Sequence, residues 1–308
     1  MKVKVVYMCV VLVWATTPIS IKWSNEGFGF LLSVSLRMAI ALIIAAALLV
    51  LYRRRLFQKS NDWQAFVMGA LSLYPTMLLV YWSAQYIPSG LVAVLLGMYP
   101  FFIGVFSIFI LRENLFTLTR VLALLIAVCG LSLINYGQLG IGESAIYGVL
   151  GIVASSLIFA FATVSLKKIG AGVDPLRQLV GSLLFSAPLF VVTSLLSGTE
   201  WPDNISAGAW VSLSYLIVSA SVLGGLGFFY IVTHCRVSTV GLVPLIAPML
   251  AIIIGFVFAG EVLSWPSAIG SVCVLVSLVL YQGLWREFAG QYAWLNMKLR
   301  RVISRSAA

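Results

Sequence analysis

Very few side chains in this sequence are equipped for chemistry. Of its 308 residues nine are acidic, nineteen are lysine or arginine, and His234 is the single histidine. No HExxH pair, aspartate pair or nucleophile with a neighbouring base is present, so protease and hydrolase centres have nothing to be built from. A GxxxxGK[ST] loop is also missing, which removes nucleotide hydrolysis by this chain. The cysteines Cys9, Cys129, Cys235 and Cys273 lie in or beside apolar runs without CxxC spacing, and they read as buried free thiols. No catalytic residue, cofactor or metal site is therefore expected. What remains is a short set of charges at or near the ends of apolar runs: Lys22, Arg37, Glu113 and Glu261. Such groups can meet a solute's charge, or pair and gate at the mouth of a cavity. For Lys22 and Arg37, which both approach the same side, snorkelling to the surface is the competing reading. His234, beside a loop, reads as an interfacial residue.

The elements that must carry these residues are membrane helices. Apolar residues make up 62% of the chain and charged ones 9%, with a mean hydropathy of +1.09, far from the balance of a soluble domain. A helix needs roughly 20 apolar residues to cross the hydrocarbon core. Ten stretches meet that requirement: 3 to 22, 30 to 52, 63 to 83, 89 to 111, 117 to 136, 145 to 166, 177 to 197, 208 to 232, 238 to 259 and 266 to 285. The N-terminal run has the order of a signal peptide, but Trp14 and Pro18 stand where small residues would precede cleavage, so it is expected to remain as the first span. With the N-terminus in the cytoplasm, seventeen of the nineteen basic residues fall on the inner side, and Lys22 alone falls outside. The formal charge of +10 is thus a topology signal and implies no nucleic-acid partner. Both termini are expected to be cytoplasmic, in a cell membrane that is most simply a bacterial inner membrane. Residues 286–308 alternate apolar and basic positions at helical spacing and should form an amphipathic cytoplasmic tail along the inner surface.

The chain also repeats itself. YPFFIGVFSIFILREN at 99–114 and APMLAIIIGFVFAGEV at 247–262 each run from a proline to a glutamate, Pro100 to Glu113 and Pro248 to Glu261, at an offset of 148 residues. Trp82 matches Tyr230, Lys22 matches Lys167, and LVWATTPISIKW matches LIFAFATVSLKK with Phe159 in the place of Trp14. Spans one to five then map onto six to ten. Five is odd, so the second copy lies upside down in the membrane, and Glu113 and Glu261 end their spans on opposite sides. The expected class is an all-α integral membrane protein of ten transmembrane helices in two inverted five-helix repeats, 1–140 and 141–285. That architecture belongs to alternating-access carriers.

The WATTPISIK opening, the SLRMAIALIIAAAL segment containing Arg37, and the two proline-to-glutamate helices together resemble the EamA-like branch of the drug/metabolite transporter superfamily, over roughly residues 3–285. The resemblance implies ten helices around a central cavity lined by helices one, three, four, six, eight and nine. It also implies a secondary transporter, an exporter of a small metabolite such as an amino acid, with a flippase for a lipid or lipid-linked sugar as the alternative. Partners are then a small-molecule substrate and the lipid bilayer, with the oligomeric state open. Candidate cavity residues are Trp14, Thr17, Tyr74, Thr76, Tyr81, Gln85, Tyr99 and Tyr230, which offer ring faces and hydrogen bonds. Pro100, Pro244 and Pro248 join them as helix breakers. Glycines such as Gly104, Gly225 and Gly227 are expected to let helices approach closely.

Overall fold

The computed structural model describes residues 2–113, 117–138, 144–170, 172–235, 237–240, 243 and 265–283. These residues are helical between short turns, and no strand occurs among them. The elements are α1 (Lys2–Phe28), α2 (Phe30–Leu51), α3 (Asp62–Leu71), α4 (Thr76–Ser83), α5 (Ser89–Leu96), α6 (Tyr99–Phe106), α7 (Leu118–Gln138), α8 (Ala145–Ile169), α9 (Pro175–Leu196), α10 (Ala207–Tyr215), α11 (Gly224–His234), α12 (Val237–Val240) and α13 (Trp265–Gln282). Among the described residues six stretches are long and apolar enough to cross a bilayer: Val3–Phe28, Phe30–Leu51, Asp62–Ser83, Ala145–Ile169, Pro175–Leu196 and Ala207–His234. Apolar side chains such as Ile43, Val50, Leu150, Leu196 and Val211 are exposed along them, which suits a surface bathed in lipid.

Local chemistry explains most of the boundaries. Gly29, at φ +71°, supplies the left-handed residue that turns α1 into α2. Asp174 caps α9 by accepting from the backbone N–H groups of Leu176 and Arg177, with Pro175 in the first turn. Ser206 caps α10 through the Ala209 N–H at 3.2 Å.

Two expected spans are each interrupted. The span at 63–83 breaks into α3 and α4 across Ser72–Pro75, where the Tyr74–Pro75 peptide is cis. The span at 89–111 breaks at Gly97–Met98, so Pro100 stands in the first turn of α6, where a missing N–H is harmless, and does not kink a continuous helix. α6 runs on into π winding at Ser107–Leu111, and a second π stretch, Leu216–Leu223, joins α10 to α11. Of the expected ninth span, 237–240 and Val243 are described; the remainder, with the tail from 284, lies outside the described residues.

Helix packing follows a crossed pattern. α1 lies against α10 and α11, α8 against α3 and α4, α2 against α9, and α7 against α13. Small residues allow the closest approaches. A Cβ on Gly69 would sit 2.0 Å from Ser182 Oγ, and one on Gly181 would sit 2.2 Å from the Phe66 ring, so α3 and α9 touch almost backbone to side chain.

Candidate functional site

A cavity of about 130 Å³ lies where α1, α2, the α3–α4 break, α4, the ends of α5 and α6 that face each other, α8, α9 and the π stretch into α11 converge. The α3–α4 break and the π stretch between α10 and α11 both open onto it. Ser72 and Leu73 come from the α3–α4 break, and Ala220 and Ser221 from the π stretch. Broken or π-wound segments leave backbone polar groups that only a cavity or neighbouring protein can satisfy, so their placement here is physically economical. One wall is aromatic. Trp14 stacks on Phe228 at 5.4 Å, Phe228 on Phe159 at 5.3 Å, and Phe159 on Tyr99 at 4.7 Å between ring centroids. Trp14 and Phe159, matched in the repeat alignment, are 6.0 Å apart.

Arg37 is the charge in this wall. It is 5% exposed, and its Nε donates to Ser221 Oγ at 2.7 Å while Nη1 donates to the Tyr81 hydroxyl at 3.1 Å. Its guanidinium carbon also stands 5.8 Å from the Tyr81 ring centre. Among the described residues no carboxylate pairs with it. A buried cation without a counter-ion is expensive in a membrane and is retained where it meets a water-filled path or a ligand. The side chain therefore faces inward, away from the snorkelling geometry weighed for it from sequence.

The candidates divide cleanly by position. Trp14, Thr17, Thr76, Tyr99 and Arg37 line the cavity, and Tyr81 stands behind Arg37 as its fully buried partner. Tyr74 points elsewhere, with its hydroxyl 2.9 Å from Thr193 Oγ1 and its ring edge-on to Phe190. Gln85 is exposed and donates to the Trp82 carbonyl. Tyr230 stacks on His234 at 4.0 Å at the far end of α11. Pro100 is buried behind the lining, Glu113 is exposed just past the π end of α6, and Lys22 is half-buried near the end of α1. Pro244, Pro248 and Glu261 lie outside the described residues. Sequence reasoning passed over the serines Ser72, Ser155, Ser156 and Ser221, along with Phe228. A serine in an apolar run gives little signal, because it can equally bond back to its own helix, as Ser72 does to the Gly69 carbonyl at 2.6 Å. The paired Ser155 and Ser156 were the one readable cue. α2 and α9, which are the second and seventh of the expected spans, also contribute lining residues, although the resemblance had not implied those spans.

A second polar cluster ties the start of α9 to the start of α3. Arg177, 3% exposed in the first turn of α9, forms a buried ion pair with Asp62 at the start of α3. It also donates to the carbonyls of Arg55 and Leu56 and to Gln58 Oε1. Asp62 in turn accepts from the N–H groups of Gln58 and Lys59 at 2.8 and 2.9 Å. Nearby, the Lys167 ammonium donates to the carbonyls of Val232 and Cys235, capping the end of α11.

Comparison with known proteins agrees with this architecture. The EamA-like transporter family profile matches residues 2–136 and again 146–282. An uncharacterized transporter of Bacillus subtilis, YvbV, is 27% identical over 78% of this chain and 77% of its own length. The uncharacterized inner membrane transporter YedA of Escherichia coli K12 is 24% identical over 87% of both chains. A solved crystal structure superposes with a TM-score of 0.68 over 93% of this chain and 98% of that one, at 17% identity, which is a likeness of fold. The family and these named relatives are transporters and not enzymes. With both halves matched in turn by one profile, and with membrane-length helices gathered around a cavity, the protein belongs to the EamA-like transporter family.

Proposed function

We propose that this transporter is a secondary carrier that exports a small carboxylate-bearing metabolite, amino acids among the candidates, by alternating access between two inverted five-helix repeats, 1–140 and 141–285. The observation that carries the reading is Arg37, a buried cation in the cavity wall with a hydrogen bond into each half of the chain, to Tyr81 and to Ser221. A solute that engages Arg37 acts on both halves at once, which is what coupling between binding and reorientation requires.

Several features support the repeat. The same profile matches twice. The packing of α1 on α10 and α11 corresponds to that of α8 on α3 and α4, and α2–α9 and α7–α13 are pairs of corresponding helices. The two interruptions also correspond, since the 148-residue offset carries Ser72–Pro75 onto the last residues of the π stretch Leu216–Leu223. In this reading the protein sits in the bacterial inner membrane with both termini cytoplasmic, residues 286–308 follow the inner surface, and Lys22, Glu113 and Glu261 act at the cavity mouths. A lipid or lipid-linked sugar would want more room than about 130 Å³ and more than one cation in the wall, so export of a small solute is favoured over flipping.

Comparing extracellular and intracellular metabolites in cells lacking or overproducing the protein tests the proposal. The expected result is a carboxylate-bearing solute that accumulates inside the deletion strain and outside the overproducer. Purified protein in liposomes should also catalyse counterflow of that solute without nucleotide. Unchanged metabolite pools, together with no counterflow, would sink it.

A further inference from the structure

The reading above leaves the substrate's charge pattern open, and the cavity narrows it. We propose that the preferred substrate is a monocarboxylate anion with a ring-sized apolar body and no ammonium group; this rests on the carrier reading above. Arg37 commits Nε and Nη1 to Ser221 and Tyr81, while Nη2 has no partner among the described residues. The Ser156 hydroxyl, buried in the same lining, also lacks a partner there. One guanidinium N–H pair and one hydroxyl suit the two oxygens of a carboxylate.

No group provides the opposite charge that an amino acid's ammonium would want. The acidic residues of the whole sequence are Glu26, Asp62, Glu113, Glu143, Asp174, Glu200, Asp203, Glu261 and Glu287, all at or beyond the ends of apolar runs. Residues 238–260, most of which lie outside the described structure, contain no acidic residue either. Among the other lining hydroxyls, Thr17 donates to the Val13 carbonyl, Ser72 to Gly69, Thr76 to Leu71 and Ser155 to Thr76, while the buried Tyr99 hydroxyl has no partner among the described residues. They can offer lone pairs but no charge. A monoanion leaves the loaded site neutral, whereas a zwitterion leaves one uncompensated positive charge beside Arg37 in a small low-dielectric space. Ring faces of Trp14 and Phe228 would attract an ammonium, yet the same ion would be repelled by the Arg37 guanidinium in the same lining. Those faces serve a flat apolar body instead, and the cavity, at about 130 Å³, is a little smaller than the ~150 Å³ apolar cavity that takes a benzene ring, which limits the body to a single ring.

Benzoate, benzamide and phenylglycine share one ring and differ in charge, so their binding to the full-length protein in nanodiscs can be compared by calorimetry. Benzoate is expected to bind at least about 10-fold more tightly than either of the others, the scale of one charged hydrogen-bonded contact. Arg37→Gln should bring benzoate to the level of benzamide. Ser221→Ala, which keeps the charge, should weaken benzoate only a few-fold and keeps the test decisive if Arg37→Gln does not fold. Phenylglycine binding as tightly as benzoate, equal binding of all three, or binding of none overturns the inference. The two readings fail separately. Export of a zwitterionic amino acid from cells removes this inference and spares the carrier, while Arg37-dependent benzoate binding without any counterflow in liposomes does the reverse.

Discussion

The ion pair between Arg177 and Asp62 allows the sharpest test of what holds the starts of α3 and α9 together. Both side chains are nearly excluded from solvent, at 3% and 5% exposure. Arg177 sits in the first turn of α9, the positive end of that helix, so its charge is doubly in need of a partner. Asp62→Ala removes that partner and leaves the guanidinium with two backbone carbonyls and Gln58, at an expected cost of about 3–5 kcal/mol for breaking a buried pair. At roughly 2 °C per kcal/mol for a chain of this size, the apparent Tm should fall by about 6–10 °C. Asp62→Asn keeps an acceptor for the Gln58 and Lys59 N–H groups and should cost less, about 2 kcal/mol. Arg177→Met added to Asp62→Ala should cost less than the sum of the two single changes, because the stranded charge goes with it. Thermal unfolding of the detergent-solubilised protein, followed by tryptophan fluorescence, reads all four variants. A shift under 2 °C for Asp62→Ala, or strict additivity in the double variant, would refute the claim that the pair is a desolvated, mutually dependent unit.

Other expectations are simpler. Ser221→Ala and Tyr81→Phe each remove one hydrogen bond to Arg37, and each should raise the KM for transport several-fold, about 10-fold at most, with expression unchanged; an unchanged KM in both would detach Arg37 from the substrate. Gly104→Ala places a Cβ 1.6 Å from the Tyr281 hydroxyl oxygen, so it should destabilise by about 1–3 kcal/mol, and Tyr281→Phe should recover part of the loss in the same melting assay. Single cysteines near Glu200 should react with an impermeant thiol reagent in whole cells and those near Lys298 should not, and the opposite pattern would invert the orientation.

Hydropathy located the six membrane-length helices of the described residues because a membrane span must satisfy its own backbone and therefore betrays itself by length and composition. It did not locate the interruptions with the same accuracy. Pro100, expected to break a helix, proved to start one, because a proline's effect depends on whether the preceding residues are already helical. Facing was harder still. Helices that are apolar all round carry almost no period, so nothing in the sequence separated Thr76, at the cavity, from Tyr74 two residues earlier, against Thr193. Arg37 was legible as a charge within a span, but its direction depends on Tyr81 and Ser221, 44 and 184 residues away in the chain. Trp14 and Thr17 were legible for a different reason: a tryptophan near the middle of a span is poorly placed to anchor at the interface, and beside a threonine it offers a ring face and a hydrogen bond to a solute.

The π stretch at Leu216–Leu223 has a consequence for how this chain can change length. In an α-helix every residue removed turns everything beyond it by about 100°, so a deletion in the middle of a span misdirects the whole second half of that span. A π turn holds one residue more than an α turn. Between α10 and α11 there is accordingly a spare residue, and its loss lets the backbone settle back into ordinary winding while the helix on each side keeps its orientation. The wall that presents Ser221 and Phe228 thus contains the one kind of place in a membrane helix where a codon can be lost and the downstream faces still point where they did.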